Sequence, residues 1–426
     1  LGLIFVDVHE KLSRLASIIF VITPSYAKHL KVFLRQSGNF PKIFNICDHG
    51  FLGCDHIRRL TGLLPWRINS SNMALIKIEA KAMSMYYTEA GSATWGTVCT
   101  ARETPELLAA FAAHHAAIGA SKVYLYLDEP SPRALELLAV IPAVDVTVCD
   151  QAYWARVNNG RPRSQEGRQI VNAQDALRRA EVDWLLHIDA DEFLSPQRDL
   201  SLELSQVPSG IEYLHLEMRE RAFVGNRSPE TIFDGAFRVP IGQEQRVLRL
   251  IYGPGFGFTN GGFAGQTAGK SLVRVKDCDL LMGIHRPRVP SAQARERPMG
   301  LACQSAVLLH FEGLTPAHWM AKITRYSQTA RYSQGDLLGR HQKRQVNYLI
   351  RNNWSAEALR KLHDLLKVID EPTETRLRGL GVLETSAVNP SYGLRVFGLG
   401  AEVDLSVECS DRGWVDWAPG ILSYAA

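Results

Sequence analysis

The chain has 426 residues, of which 46% are hydrophobic and 22% are charged. This composition is that of an ordinary globular protein, and it excludes collagen-like, low-complexity and disordered classes. The formal net charge is only +4, so the bulk charge gives no reason to expect a nucleic-acid partner. The seven cysteines include no C-x-x-C pair, which favours reduced thiols in a cytosolic protein.

The first part of the chain, 1–82, differs from the rest in charge. It contains 11 Lys and Arg against 5 Asp and Glu, and no regular alternation of strands and helices runs through it. Its apolar run 15–23 is too short to span a bilayer. We expect an N-terminal extension outside the functional unit, with the functional start near Met83. A leader peptide cleaved at Ala27 and a small accessory region are the alternatives.

A regular alternation of strand and helix follows this extension. A short apolar strand, 97–100, precedes Thr104, whose hydroxyl suits the N-cap of a helix. The helix runs to Gly119, a residue that tolerates the left-handed conformation at a helix C-terminus. The next predicted strand covers 122–127.

The same alternation repeats twice more. A helix capped by Ser131 leads to strand 144–148, and a loop rich in Arg and Asn is expected over 154–163. A longer helix, 165–180, precedes the apolar strand 184–188. Strands that alternate with helices of ten to sixteen residues predict an α/β fold, with a mostly parallel sheet and helices on both of its faces.

Polar residues follow these strands, at the sheet edge where such folds bind ligands. They are Thr100, Arg102, Asp128, Asp150, Asp189 and Asp191. Asp189 and Asp191 are two residues apart, and carboxylates that close repel each other unless a cation or another partner compensates them. Mg²⁺ and Mn²⁺ are hard cations that bind carboxylate oxygens and leave positions open for substrate phosphates. The pair therefore predicts a metal site that holds a diphosphate. The alternative is a pair that caps the turn or binds arginines.

The stretch 184–193, WLLHIDADEF, resembles the signature of glycosyltransferase family 2-like proteins of the GT-A fold, in the bacterial branch whose acidic motif reads H-x-D-x-D-E-F. The likeness also covers the opening segment 97–128 and, more weakly, three later blocks at 269–274, 283–287 and 309–322. It implies a Rossmann-like GT-A sheet, a nucleotide-sugar donor, Mn²⁺ or Mg²⁺ as cofactor, and transfer of the sugar to an acceptor hydroxyl.

The resemblance and the residue chemistry together suggest the metal ligands. Asp191 is expected to contact the metal directly, and Asp189 to bind it through water or to bind the ribose of the donor. His310 is the expected third ligand and His285 the alternative, because a neutral imidazole binds such metals.

The resemblance also suggests residues that bind the donor. Contacts to the nucleotide are expected from Thr100, Arg102 and Asp128. Fixed positive charge for the diphosphate is expected from Lys270, Arg286 and Lys322. An inverting transfer also needs a catalytic base. Glu312 is our candidate for this base and Asp234 the alternative, with Glu217 left open.

The remaining predictions concern organisation and location. We expect a GT-A domain at 90–335 and a mainly helical C-terminal region at 336–426, with amphipathic helices at 332–349 and 355–369. The Gly-rich segment 253–269 lacks a Walker motif, so we expect a flexible loop beside the acceptor.

The expected partners are a nucleotide-sugar donor and a glycan or lipid-linked acceptor, as in polysaccharide biosynthesis. The expected location is cytoplasmic, with a peripheral contact to the inner membrane face through a basic helix face. Two other classes stay open. One is a non-catalytic nucleotide-sugar or glycan-binding protein of the same fold, and the other is a two-carboxylate glycoside hydrolase.

Overall fold

The computed structural model describes residues 92–225, 229–241, 245–276, 279–290, 297–328, 339–385 and 388–417. The extension 1–82 lies outside the described residues, as does the part of the predicted helix 332–349 that precedes residue 339. Among the described residues, no helix combines the length and the apolar character needed to cross a membrane.

The described strands and helices are numbered here in chain order. The strands are β1 (Trp95–Ala101), β2 (Lys122–Leu127), β3 (Val144–Val148), β4 (Trp184–His187), β5 (Glu192–Pro196), β6 (Tyr213–Leu216), β7 (Met218–Val224), β8 (Ala236–Arg238), β9 (Lys270–Arg274), β10 (Gly300–Ala302), β11 (Ala306–His310), β12 (Val368–Ile369) and β13 (Leu383–Glu384). The helices are α1 (Pro105–Ala117), α2 (Pro132–Ala139), α3 (Gln151–Asn158), α4 (Gln165–Arg179), α5 (Leu200–Gln206), α6 (Gln245–Tyr252), α7 (Pro316–Gln328), α8 (Arg340–Arg351), α9 (Ala356–Lys367), α10 (Glu371–Gly379), α11 (Pro390–Val396) and α12 (Val407–Trp417).

Seven of the described strands form the larger sheet, in the order β10-β6-β9-β4-β1-β2-β3. Strands β1 to β4 run parallel to one another, and β9 is antiparallel to both of its neighbours. Helices cover both faces of this sheet. On one face, Cys99 of β1 belongs to a core with residues of α1 and α2, and on the other face its neighbour Val98 belongs to a core with residues of α3 and α4. The predicted α/β fold with a mostly parallel sheet is confirmed.

Local capping chemistry explains where these helices begin. The Thr104 and Ser131 hydroxyls accept hydrogen bonds from backbone N–H groups three residues later, at 3.4 and 3.1 Å. Gly119 has φ +106°, a conformation open to glycine. The prediction of a loop over 154–163 is wrong in its first half, which belongs to α3. Asp150 caps that helix by accepting a hydrogen bond from the Tyr153 N–H at 2.7 Å. The prediction of a loop took no account of this N-cap.

The sequence did not predict the second sheet. Its order is β13-β8-β7-β11-β5, and β12 also pairs with β7. β11 is antiparallel to β5 and parallel to β7. Apart from β7 and β8, the paired strands of this sheet are distant along the chain, so no local periodicity marks the sheet.

The helical C-terminal part packs on the larger sheet's first helix. A Cβ atom added to Gly393 of α11 would lie 2.6 Å from the Ala113 carbonyl oxygen of α1, so only glycine permits this approach. In addition, β12 and β13 join the second sheet from this region. The proposed domain limits at 90–335 and 336–426 remain predictions.

Candidate functional site

The acidic turn connects the two sheets. Strand β4 of the larger sheet ends at His187, and β5 of the second sheet begins at Glu192. The backbone N–H of Asp189 donates to the Glu192 carboxylate at 2.9 Å, and the Glu192 N–H donates to the Asp189 carbonyl oxygen at 3.0 Å. These two bonds hold the turn and place Asp189 and Asp191 at the end of a buried strand, where the sequence predicted a site.

Asp189 is held by a buried lysine. The Lys270 Nζ donates to Asp189 Oδ2 at 2.8 Å and lies 3.0 Å from Glu192 Oε2. The Gln169 side-chain amide donates to the other Asp189 oxygen. Burial alone would lower the pKa of Lys270, but the charges of Asp189 and Glu192 raise that pKa above its usual range. Burial raises the pKa of Glu192 to about 7, against the opposing effect of Lys270.

Asp191 lies in a second cluster with His310 and Glu312. One ligand atom from each of the three residues lies within 4.8 Å of the others. The backbone N–H of Phe311, which stands between the last two, donates to the Asp191 carbonyl oxygen at 2.9 Å. This bond sets the end of β11 beside the acidic turn. The structure thus brings together Asp191 and His310, as predicted, and adds Glu312 to them.

Cationic groups surround the oxygens of this cluster. The Lys322 Nζ lies 3.2 Å from Asp191 Oδ2 and 3.1 Å from Glu312 Oε2. The His310 Nε2 lies 3.6 Å from the same Asp191 oxygen and 3.1 Å from the same Glu312 oxygen. Asp191 Oδ2 and Glu312 Oε2 therefore share the same two cationic partners, whose positive charge offsets the repulsion between the carboxylates.

The pKa values of the cluster follow from this arrangement. Burial would raise the pKa of Asp191, but the charges of Lys322 and His310 hold it well below its usual range. Lys322 and His310 likewise outweigh burial at Glu312 and lower its pKa. Burial would lower the pKa of His310, yet Asp191 and Glu312 raise it to about 10. In the metal-free protein, these shifts favour the anionic form of both carboxylates and the protonated form of the imidazole.

A row of ionisable side chains crosses the second sheet behind the cluster. His310 is paired with Glu192 on one side and with Glu220 on the other, and Glu220 is paired with Arg238. Directly paired residues point to the same face of a sheet. The four side chains are buried, with exposures of 1% for Glu192, 5% for His310, 0% for Glu220 and 2% for Arg238. Acidic and basic groups alternate along the row, which compensates the cost of burying each charge.

Arg221, the next residue of β7, points to the opposite face. Its guanidinium donates to the carbonyl oxygens of Ile232 at 3.2 Å and Leu314 at 2.9 Å. It also donates to the carbonyl oxygens of Asp234 and Gly313. Arg221 therefore fixes the turn that follows Glu312.

The residues predicted to contact the nucleotide lie at the ends of β1 and β2. The buried Asp128 carboxylate pairs with Arg161 at 2.7 Å and with Arg168 at 3.2 Å. The Thr100 hydroxyl accepts from the Asn172 side chain at 2.9 Å. The exposed Arg102 pairs with Glu129 at 2.9 Å.

The remaining candidates have other contacts. The ring N–H at His285 Nδ1 donates to the Gly269 carbonyl oxygen at 3.0 Å, and Arg286 is exposed. The Asp234 carboxylate accepts from the backbone N–H groups of Glu230 and Thr231 and caps that turn. The half-exposed Glu217 pairs with Arg219. These contacts do not include Asp191, His310 or Glu312.

Sequence reasoning missed the buried residues that support the cluster. Glu192, Glu220, Arg221 and Arg238 were assigned no role, although all four stand in strands with apolar neighbours. A charged residue inside a strand such as MRERAFV is itself a signal, because charges are rarely buried without partners.

The predicted flexible loop 253–269 is also corrected. It begins as a 3₁₀ helix, Gly253–Phe258, and its later part is hydrogen-bonded to Glu220.

No protein-family model and no curated protein matches this chain. Among solved structures, glucosyl-3-phosphoglycerate synthase from Mycobacterium tuberculosis with Mg²⁺ and uridine-diphosphate matches at 11% identity, over 46% of this chain and 60% of that chain, with a TM-score of 0.24. HddC from Yersinia pseudotuberculosis matches at 9% identity, over 55% of this chain and all 100% of that chain, with a TM-score of 0.29.

A further structure of the synthase, with Mn²⁺, uridine-diphosphate-glucose and phosphoglyceric acid, matches at 12% identity, over 44% of this chain and 58% of that chain, with a TM-score of 0.23. This chain spans 56% to 60% of the length of three of the matched structures. At these identities and TM-scores, neither the activity nor the ligands of those proteins transfer to this chain.

Proposed function

We propose that this protein is a metal-dependent glycosyltransferase of the GT-A fold. It moves a sugar from a nucleotide-diphosphate sugar to an acceptor hydroxyl of a glycan or lipid, within family 2-like polysaccharide biosynthesis on the cytoplasmic side. The observation that carries the proposal is the cluster of Asp191, His310 and Glu312, within 4.8 Å of one another at the end of a buried strand. The motif WLLHIDADEF leads into the same cluster.

The chemistry of the cluster fits a divalent cation. Two carboxylates and one neutral imidazole are ligands that Mn²⁺ accepts, so His310 would release its proton when it binds the metal. Mg²⁺ binds the oxygen ligands of such a set. In the metal-free protein, Lys322 and His310 supply the positive charge that compensates the two carboxylates. When bound, the metal would neutralise the charge of the departing nucleoside diphosphate.

This assignment changes two of the roles suggested by the sequence. Glu312 becomes a metal ligand instead of the catalytic base, because its carboxylate shares Lys322 with Asp191. Asp189 becomes the partner of Lys270, so its contribution is to hold the turn and to accept from the donor's ribose. Asp191 and Glu312 are also less suited to a glycoside hydrolase, since both contact the same two cationic groups instead of flanking the space for a sugar ring.

The two lysines take different roles in the proposal. Lys270 is 0% exposed and lies between Asp189 and Glu192, so it stabilises the turn from within. The Lys322 side chain is 24% exposed. Once a metal compensates Asp191 and Glu312, its ammonium becomes a fixed positive charge for the diphosphate. Arg286 supplies further positive charge from the surface, and Thr100, Arg102 and Asp128 lie at the nucleoside end.

A thermal-shift screen of nucleotide sugars, with and without Mn²⁺, tests the proposal. We expect one donor to raise the melting temperature only when Mn²⁺ is present, and the same donor to release its nucleoside diphosphate on incubation. Full turnover in excess chelator would contradict the metal-dependent reaction. Donor binding without turnover, retained in Asp191→Ala, would indicate a binding protein. Glycoside hydrolysis without a nucleotide sugar would indicate a hydrolase.

A further inference from the structure

The peptide at Gly265 passes between two buried carboxylates. Its N–H donates to Glu220 Oε2 at 2.6 Å, and the N–H of Ala264 donates to Glu220 Oε1 at 2.7 Å. On the other side lies Glu312. A Cβ atom added to Gly265 would stand 3.1 Å from Glu220 Oε2 and 3.2 Å from Glu312 Oε2. The Gly265 backbone therefore lies so close to both carboxylates that even a methyl side chain would crowd them.

Glu220 is itself held rigidly. It is completely buried, and one Arg238 nitrogen donates to its carboxylate at 2.6 Å. A second Arg238 nitrogen donates to the carbonyl oxygens of Gly262, at 2.8 Å, and Leu366, at 2.9 Å. The same pair of side chains thus fixes both ends of the segment 262–265 and ties it to the end of α9.

A second helix from the C-terminal part completes this support. The Gln345 side-chain amide of α8 donates to the carbonyl oxygens of Phe258, at 2.8 Å, and Ala264, at 3.0 Å. Ala264 is therefore bound on its N–H side by Glu220 and on its carbonyl side by Gln345. The segment next to Glu312 has little freedom to move, although it is rich in glycine.

We propose that Glu220 is a positioning residue for the metal-binding cluster, acting through the 264–265 backbone that it holds against Glu312. The inference rests on the proposed function, in which Glu312 is a metal ligand. A carboxylate ligand must be oriented by its surroundings, and such supporting contacts commonly change metal affinity by about 10- to 100-fold. It follows that α8 and α9, which the sequence assigned to a separate region, contribute to the active site.

Amide hydrogen exchange in the metal-free, full-length protein tests whether Glu220 holds the backbone at 264–265. In Glu220→Gln, one of the two N–H groups of Ala264 and Gly265 faces an amide NH₂ instead of an oxygen. We expect exchange at these two positions to become at least about tenfold faster, while the strand β4 amides keep their wild-type rates. Unchanged exchange at both positions would overturn the proposal.

Mn²⁺ titration followed by electron paramagnetic resonance tests whether the backbone at 264–265 affects metal binding by the cluster. Gly265→Ala places a methyl group against both carboxylates, whereas the methyl group of Gly257→Ala, in the preceding 3₁₀ helix, meets nothing within 4 Å. We expect Gly265→Ala to weaken Mn²⁺ binding at least about tenfold and Gly257→Ala to leave it unchanged. Because Gly265→Ala keeps every charged residue, it remains informative if Glu220→Gln does not fold.

The two failures can be distinguished. A wild-type protein that binds no Mn²⁺ would overturn the proposed function. Wild-type binding that Gly265→Ala leaves unaltered would overturn the positioning role alone.

Discussion

Glu220 lies directly opposite His310 on the neighbouring parallel strand, and both side chains are buried. His310 belongs to the candidate metal cluster, whereas Glu220 binds the backbone beside that cluster. One row of paired residues carries both the candidate metal ligand His310 and Glu220, which binds the backbone beside the cluster.

The first prediction concerns Asp191. Asp191→Asn removes one anionic ligand while keeping the size of the side chain, so Mn²⁺ affinity should fall at least about tenfold and metal-dependent donor cleavage should be lost. Isothermal titration with Mn²⁺ and release of nucleoside diphosphate measure the two effects. Glu136→Gln, at a side chain that is 68% exposed, is the control and should behave as wild type. Equal Mn²⁺ affinity in the two variants would refute the assignment of Asp191.

The second prediction concerns Lys270. Lys270→Met leaves Asp189 and Glu192 without their buried counter-charge, and breaking such a pair costs about 3–5 kcal/mol of unfolding free energy. Urea unfolding followed by circular dichroism measures the loss. The matched change Lys361→Met, on the exposed side of α9, should stay within about 0.5 kcal/mol of wild type. A similar small effect at Lys270 would mean that its ion pairs do not stabilise the turn.

The third prediction concerns the contact between α11 and α1. Gly393→Ala would set a methyl group 2.6 Å from the Ala113 carbonyl oxygen and 2.9 Å from the His114 nitrogen. This overpacking should lower the unfolding free energy by about 1–3 kcal/mol. Gly379→Ala, where nothing lies within 4 Å, is the control and should be neutral. If Gly393→Ala proved as stable as this control in urea, the C-terminal part would not pack tightly on α1.

The fourth prediction concerns stability in acid. Burial lowers the pKa of His114 from 6.5 to about 4, although its ring N–H donates to the Leu194 carbonyl oxygen at 2.8 Å. The unfolded chain therefore binds a proton at higher pH than the folded chain, so stability is fully present above pH 6.5 and is lost as the pH falls to about 4. The contribution of this one group is about 3 kcal/mol.

The variant His114→Gln isolates that contribution, because glutamine has a donor but does not titrate. Between pH 7 and pH 4, its unfolding free energy should fall by about 3 kcal/mol less than that of the wild type. Chemical denaturation at each pH gives the comparison. Burial also lowers the pKa of His115 and His187, so the variant keeps part of the acid sensitivity. Identical pH dependence in the two proteins would show that His114 is not responsible.

Much of the larger sheet was predictable from local patterns. Strands β2 and β3 have the predicted limits, and helix α1 begins after its predicted cap at Thr104. These features depend on residues within a few positions of each other, such as a hydroxyl that accepts a bond from an N–H three residues later. The same local logic failed at α3, where the Asp150 cap and the burial of Tyr153 and Trp154 outweigh an unfavourable composition.

The candidate site was predictable only in part. Asp191 and His310 were proposed as ligands, and the structure brings them together. The pairing of Asp189 with Lys270 and the place of Glu312 beside Asp191 were not predicted. A motif identifies chemically suitable residues, but it does not show which of several lysines and carboxylates will meet in the folded chain.

The sequence alone determined the alternation of strands and helices, their caps, and the placement of two carboxylates after a buried apolar strand. The tertiary structure decided which groups surround those carboxylates. Lys322 and Asp191 are 131 residues apart along the chain, and the row from Glu192 to Arg238 exists only through the register of four paired strands. Register depends on contacts between distant segments and on what each face buries, and no local stretch of sequence contains that information.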